Sequence, residues 1–340
     1  MEKKVTIYDL ARELNVSPST ISRALQGHPG VGPELRKTVK RLAAKKAYKV
    51  NRNAASLRTK KSRTIAILVP KINDYFFNSV IAGIEIMARE NNYTVIISQS
   101  NDEYETEVDV VNSLLSLNID ALIVSLSMRA KNYDHFKPFL TGGIPIVSID
   151  RVTEEIMATK VFIDDYGSAY MGAAHLIEQG CRNLAAITGI LDLKIYSERV
   201  RGFRDAIKDH NLPVREEFIY QCMLLSEDGK KAMDHFFVKP EDAPDGIFCS
   251  NDTTAIACIQ DCRKRGILVP DDVAIVGFSN DPRSEIIEPN LTTIAQPAIE
   301  MGRVACEQAI LQINKPKSLI TSTDIILKTE LVIRDSSRRK

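Results

Sequence analysis

Two sets of side chains in this 340-residue sequence have types and spacing suited to chemistry. The first is Ser17-Pro18-Ser19-Thr20-Ile21-Ser22-Arg23, which puts hydroxyls and a guanidinium close together near the N-terminus. Such groups hydrogen-bond phosphates and the edges of bases. The second is a series of polar residues at the carboxyl ends of apolar runs: Asn73-Asp74, Ser125, Asp150, Asp164-Asp165, Asn251-Asp252 and Ser279-Asn280-Asp281. Carboxylates and amides of this kind hold small polar ligands at the ends of parallel strands. Neither set has catalytic spacing. The chain contains no GxGxxG, no GxxxxGK[ST] and no HExxH, and Gly277-Phe278-Ser279-Asn280-Asp281 falls short of a GxSxG elbow. Five scattered histidines and six cysteines without a CxxC pair give no metal-ligand pattern, so no metal and no cofactor is expected.

The first set needs a helix to present it. Thr6 can cap a helix over residues 6–14, with Asp9 three residues on, and Ile7, Leu10, Ala11 and Leu14 fall on one face. Ser17 is a good N-cap, and Pro18 sits where its missing N–H costs nothing. The helix that follows runs to about Gln26 and ends at Gly27. It turns Ile21, Ala24 and Leu25 inward and its polar residues outward. A third amphipathic helix starts near Pro33. Two short helices, a tight turn and a third packing helix make a helix-turn-helix unit. Residues 51–59 are helix-compatible but too short to be stable alone, and carry a solitary Leu57 beside Arg58. Leu57 is either a chance exposed leucine in a linker or the minor-groove wedge of a helix that folds only on DNA.

The second set needs a parallel sheet. From Thr64 onward, continuous apolar runs near residues 64–70, 93–98, 121–125, 145–150, 161–164, 185–188, 247–250 and 274–278 alternate with amphipathic helical stretches. That alternation predicts parallel α/β structure, and the number of strands suits two small lobes better than one sheet.

Charge separates the two parts. The net charge is +1, but residues 1–63 hold 16 Lys and Arg against 4 Asp and Glu, a net of +12. The remainder holds 29 against 40, a net of −11. A basic head on an acidic body points to a head that meets a polyanion. No apolar run reaches the ~20 residues of a membrane span, and the N-terminus has no signal-peptide core. The chain is expected in the cytoplasm, with no membrane partner.

The sequence resembles the LacI/GalR family of bacterial transcription regulators over nearly its whole length. Val5–Ala11 with Val16–Leu25 is similar to the family's helix-turn-helix signature, and Asn51–Leu57 to its hinge helix. Val161–Asp165 with His175–Gly180 resembles its mid-chain block. Phe248–Asp252, Gly266–Asp271, Ile275–Phe278 and Leu291–Ile294 resemble its C-terminal block.

The resemblance implies an α/β protein: an all-α helix-turn-helix domain (1–49), a hinge helix and linker (50–63), and a two-lobed body like a type I periplasmic binding protein (64–340). The first lobe would take 64–163 and 294–325, the second 164–293 and 326–336. It implies a homodimer on a pseudo-palindromic double-stranded DNA operator, tuned by a small-molecule effector, a sugar or sugar derivative. DNA contact would fall to Thr6, Tyr8, Ser17, Pro18, Ser19, Thr20, Ser22, Arg23, Asn51, Ala54, Leu57 and Arg58. Effector contact would fall to Phe76, Phe77, Ser125, Asp150, Arg199, Asn251, Asp252 and Ser279. Asp150 and Asp252 could instead be helix caps, and Arg199 an ion pair. Ser279 stands where the family often has an aspartate. With Arg199 retained, that departure favours an acidic or phosphorylated ligand over a neutral sugar. The competing reading is a cytoplasmic solute-binding receptor without DNA function; an enzyme has no supporting motif.

Overall fold

A computed structural model describes residues 5–25, 27–48, 62–239, 242–316 and 322–339. The chain divides into two compact units, one before Arg63 and one from Arg63 onward.

The head is three helices: α1 (Ile7–Glu13), α2 (Pro18–Leu25) and α3 (Pro33–Lys45). Its core is Leu10, Ala11, Ile21, Ala24, Val31, Val39 and Ala43, the residues that helical spacing places on facing sides. Leu25 is only half buried, at the edge of this core. The hinge candidates Asn51, Ala54, Leu57 and Arg58 lie outside the described residues.

The body begins with β1 (Thr64–Val69), α4 (Tyr75–Glu90), β2 (Thr94–Gln99), α5 (Tyr104–Leu115), β3 (Ala121–Val124), α6 (Lys137–Gly142), β4 (Ile146–Ile149) and β5 (Thr159–Ile163). It continues through α7 (Asp165–Glu178), β6 (Leu184–Thr188), α8 (Lys194–Asp209), β7 (Ile219–Gln221), α9 (Ser226–Phe236), β8 (Gly246–Cys249), α10 (Asp252–Arg265), β9 (Ala274–Phe278) and β10 (Thr292–Ala295). The last elements are α11 (Ala298–Ile313), β11 (Asp324–Leu327) and β12 (Glu330–Val332).

These strands form two six-stranded sheets, ordered β2-β1-β3-β4-β5-β11 and β7-β6-β8-β9-β10-β12. Both repeat one winding order and end on a strand from the C-terminal segment. All pairings are parallel except β10 with β12. The central strands read as unbroken apolar runs because helices cover both faces. On the first sheet, α4 and α11 cross where Gly83 and Gly302 meet backbone. A methyl at Gly302 would lie 2.0 Å from the Val80 carbonyl oxygen, and one at Gly83 2.1 Å from that of Ile299.

The chain passes between lobes three times. The family resemblance implies a return at 293/294 and a last passage at 325/326; the sheets shift both. Ile294 and Ala295 pair with Leu331 and Glu330 in the second sheet, and Ile326 and Leu327 pair with Phe162 and Ile163 in the first. The passages therefore follow Ala295 and Leu327. The segment after β12 is stitched to the second lobe: the Ile275 N–H donates to the Ser336 carbonyl at 2.8 Å, and His175 Nε2 lies 2.7 Å from Ser337 Oγ.

Candidate functional site

In the head, Thr6 closes a capping box on α1. The Asp9 N–H donates to Thr6 Oγ1 at 3.4 Å and the Thr6 N–H to Asp9 Oδ2 at 2.8 Å. Ser17 Oγ accepts from the Thr20 N–H at 3.1 Å and lies 2.7 Å and 2.8 Å from the Ser19 and Thr20 hydroxyls. This hydroxyl cluster occupies the N-terminal end of α2, whose first turn carries no acidic residue, an arrangement suited to phosphate. Wholly buried Ile21 and Ala24 anchor α2, which leaves Ser19 and Arg23 exposed and Pro18, Thr20 and Ser22 partly so. Tyr8 on α1 is 67% exposed, unusual for a tyrosine with nothing of this unit to cover it. The described part of the first set thus forms one solvent-facing polar surface on a small apolar core.

The second set converges on a cleft of ≈ 290 Å³ between the carboxyl ends of the two sheets. Six of the eight effector candidates line it: Phe76, Phe77, Asp150, Arg199, Asn251 and Ser279. Phe76 and Phe77 begin α4 and pack edge to face, with centroids 5.2 Å apart. Asp74 caps that helix, its Oδ1 accepting the Phe76 and Phe77 N–H groups at 2.9 Å and 3.4 Å. Asp150 terminates β4 with φ +57°, and Ser279 follows β9 with φ +112°. Both are left-handed backbones that non-glycine residues adopt at a cost, and such strain gathers at ligand clamps.

Arg199 is 3% exposed. Its Nε donates to Asp165 Oδ1 at 2.8 Å and its Nη1 to the Ser250 carbonyl at 2.9 Å. Its guanidinium carbon lies 3.7 Å from the Phe278 ring centroid. Arg199 thus pairs with Asp165 and also lines the cleft. Burial drives Asp165 up to about 7, while Arg199 pulls the other way and Asp150 adds to the rise. Asn251 reaches the cleft, but its amide is engaged: Oδ1 accepts the Thr254 N–H at 2.9 Å and Nδ2 donates to the Leu224 carbonyl. Ser279 Oγ accepts from Gln296 Nε2 at 3.1 Å.

Two candidates do not line the cleft. Ser125 is fully buried behind it. Asp252 turns into the second lobe, where Oδ1 accepts the Thr293 hydroxyl at 2.6 Å and Oδ2 the Asp281 N–H at 2.7 Å. Burial pushes Asp252 up to about 6. It fixes the loop that carries Ser279 and Arg283 rather than facing a ligand.

The sequence reading did not name Asp102, Arg151, Tyr196, Arg283 and Gln296, all of which line the cleft, and it did not single out Asp74 as a contact. Tyr196 lies three residues before Arg199 and so shares its helix face, a signal that was available. Arg151 pairs with Asp102, which also accepts the Met128 N–H at 3.0 Å. Among the described residues, no helix is long and apolar enough to cross a membrane.

A helix-turn-helix head joined to a two-lobed, cleft-bearing α/β body defines a class: ligand-responsive DNA-binding proteins. Comparison with known proteins narrows it. Residues 6–51 match the model described as "Bacterial regulatory proteins, lacI family", and residues 173–337 that of a periplasmic binding protein-like domain. The chain is 33% identical over 332 residues to the NTD biosynthesis operon regulator NtdR of Bacillus subtilis, covering 98% of this chain and 99% of that one. It is 29% identical to the HTH-type transcriptional repressor CytR of Escherichia coli, over 99% and 97% of the two chains. A lac repressor dimer bound to operator and the anti-inducer ONPF shares the fold, with a TM-score of 0.86 at 20% identity over 98% and 99% of the chains. The chain belongs to the lacI family of bacterial regulatory proteins.

Proposed function

We propose that this chain is a transcriptional repressor that binds a pseudo-palindromic operator as a homodimer in the cytoplasm. A small sugar-like metabolite, held between the lobes of the body, sets its operator affinity. The observation that carries this reading is the presence on one chain of an exposed, hydroxyl-rich α2 and a cleft lined from both lobes. A ligand touching Phe76 and Asp150 on one side and Tyr196 and Arg199 on the other binds one lobe angle better than another. It can shift the equilibrium only by that difference. Allosteric couplings of about 1–3 kcal/mol correspond to 5- to 150-fold changes in affinity. A cleft whose carboxylates are paired, capping or strand-end groups supports binding as its work.

Random-site selection with the full chain tests the DNA half. A recovered pseudo-palindrome supports the reading, and the absence of any preferred sequence removes it in favour of a solute receptor. A thermal-shift screen of sugars and their derivatives tests the ligand half, because a bound ligand raises stability by mass action.

A further inference from the structure

The cleft's acidic and basic side chains can be matched one against another. Arg151 pairs with Asp102, and Arg283 pairs with Asp281 at 2.7 Å. Arg199 pairs with Asp165 at 2.8 Å. Asp150 is left over. It is 8% exposed and lines the cleft, yet its carboxylate has neither a hydrogen bond nor an ion pair among the described residues. Its backbone is fixed by the strand, with its N–H donating to the Val161 carbonyl at 3.1 Å. Arg151 and Arg199 are the strongest charges acting on it, though each donates its hydrogen bonds elsewhere, and Asp74, occupied by two backbone N–H groups, adds negative charge across the same space. Lys71 stands at the mouth, half-exposed, and is not among the strongest charges acting on Asp150.

A buried ionised carboxylate without a partner is costly. A ligand hydroxyl would give it one hydrogen bond and leave the charge in place. A ligand phosphate or carboxylate would add repulsion from Asp150 and Asp74, while the nearby guanidiniums are already committed. A ligand ammonium supplies the hydrogen bond together with a counter-charge in direct contact, which neither Arg151 nor Arg199 gives. Resting on the proposed effector-gated function, we infer that the effector carries a protonated amine seated against Asp150. The ligand class is an amino sugar or a comparable polyhydroxylated amine, with its ring against Phe76 and Tyr196. This reverses the sign expected from the sequence, where Arg199 with Ser279 in place of an aspartate favoured an acidic or phosphorylated ligand.

The groups facing Asp150 are Asp74 ahead of α4, Asp102 ahead of α5, Arg151 beside it, and Tyr196 and Arg199 on α8. Burial raises the Asp150 carboxyl above its usual range. The pair needs the carboxyl deprotonated and the amine protonated, so the amine's advantage is lost at the acid end and again at the alkaline end.

The experiment is thermal shift and calorimetry on the full chain with matched probes. These are glucosamine, glucose and glucose 6-phosphate; galactosamine and galactose; and tris(hydroxymethyl)aminomethane against 1,1,1-tris(hydroxymethyl)ethane. The amine of each set is expected to bind at least ~10-fold tighter than its neutral partner, the difference one ion pair of ~1.4 kcal/mol makes. The advantage should vanish as pH rises through the amine's own titration and disappear in Asp150→Asn, with Asp74→Asn as the second variant if the first does not fold. Equal or tighter binding by the neutral or phosphorylated probes overturns the inference, as does an amine that shifts nothing. Site selection on DNA is scored separately. A selected operator released by an anionic sugar sinks the amine alone, whereas failure to select any operator sinks the functional reading.

Discussion

Arg199→Met exposes how the cleft is balanced. The substitution keeps much of the side-chain volume against Phe278 but leaves Asp165, 8% exposed, without the guanidinium that donates to it at 2.8 Å. Removing one partner of a buried pair costs about 3–5 kcal/mol. A body of this size loses ~2 °C per kcal/mol, so the melting temperature should fall by about 6–10 °C. The pH dependence is the sharper mark. In the native protein Asp165 titrates at about 7, well above an unfolded aspartate at about 4. The folded state therefore holds a proton that the unfolded chain has lost, and stability falls as pH climbs between these values and levels off above them. Arg199 holds that titration down, so in Arg199→Met it moves higher and the loss continues past pH 7. The penalty relative to wild type should be flat below about pH 6 and grow by about 1.4 kcal/mol per unit above 7. Melts from pH 5.5 to 9 on wild type, Arg199→Met, Asp165→Asn and the double variant give the cycle. The double variant should recover most of the loss, because it buries neither charge. A pH-independent penalty, or a double variant as unstable as the worse single one, would refute the reasoning.

Three further outcomes are expected. Ser17→Ala removes the acceptor of the Thr20 N–H and should destabilise the head by ~1 kcal/mol, read by thermal melting, with operator affinity falling alongside. Gly302→Ala places a methyl against the Val80 carbonyl and forces α4 and α11 apart, so the body's melting temperature should drop while the head's does not. Lys194 reaches from the second lobe to Glu154 of the first at 3.3 Å. Lys194→Ala should weaken effector affinity by at most about fivefold, since exposed pairs contribute ~1 kcal/mol or less, a change calorimetry resolves.

The legible parts of the fold were those whose signal is local. The capping box of Thr6 and Asp9, the Ser17-Pro18 helix start and the apolar runs of β1, β3, β4 and β9 each carry their cause within a few residues. Strands β7, β10 and β11 are three or four residues long and owe their existence to partners far along the chain, such as Ile326 on Phe162. Thr292-Thr293-Ile294 and Ile325-Ile326 are β-branched, but runs this short do not by themselves mark a strand. The same divide runs through the cleft. Strand-end position brought Asp150 and Ser279 to notice, but it does not tell which way a side chain turns. Asp252 looked equivalent and faces Thr293 instead. The partner of Arg199 was illegible because Asp165 meets it only after α7 and α8 pack.

The central claim is that one chain couples a small ligand to a DNA sequence. Fluorescence anisotropy of the full chain on its selected operator, with and without a ligand that shifts the body's melting temperature, tests it directly. The account predicts a ligand-dependent change in operator affinity of 5- to 150-fold in wild type. It predicts no such change in Arg199→Met at a pH where that variant stays folded. Operator affinity indifferent to every ligand that binds the body would contradict it.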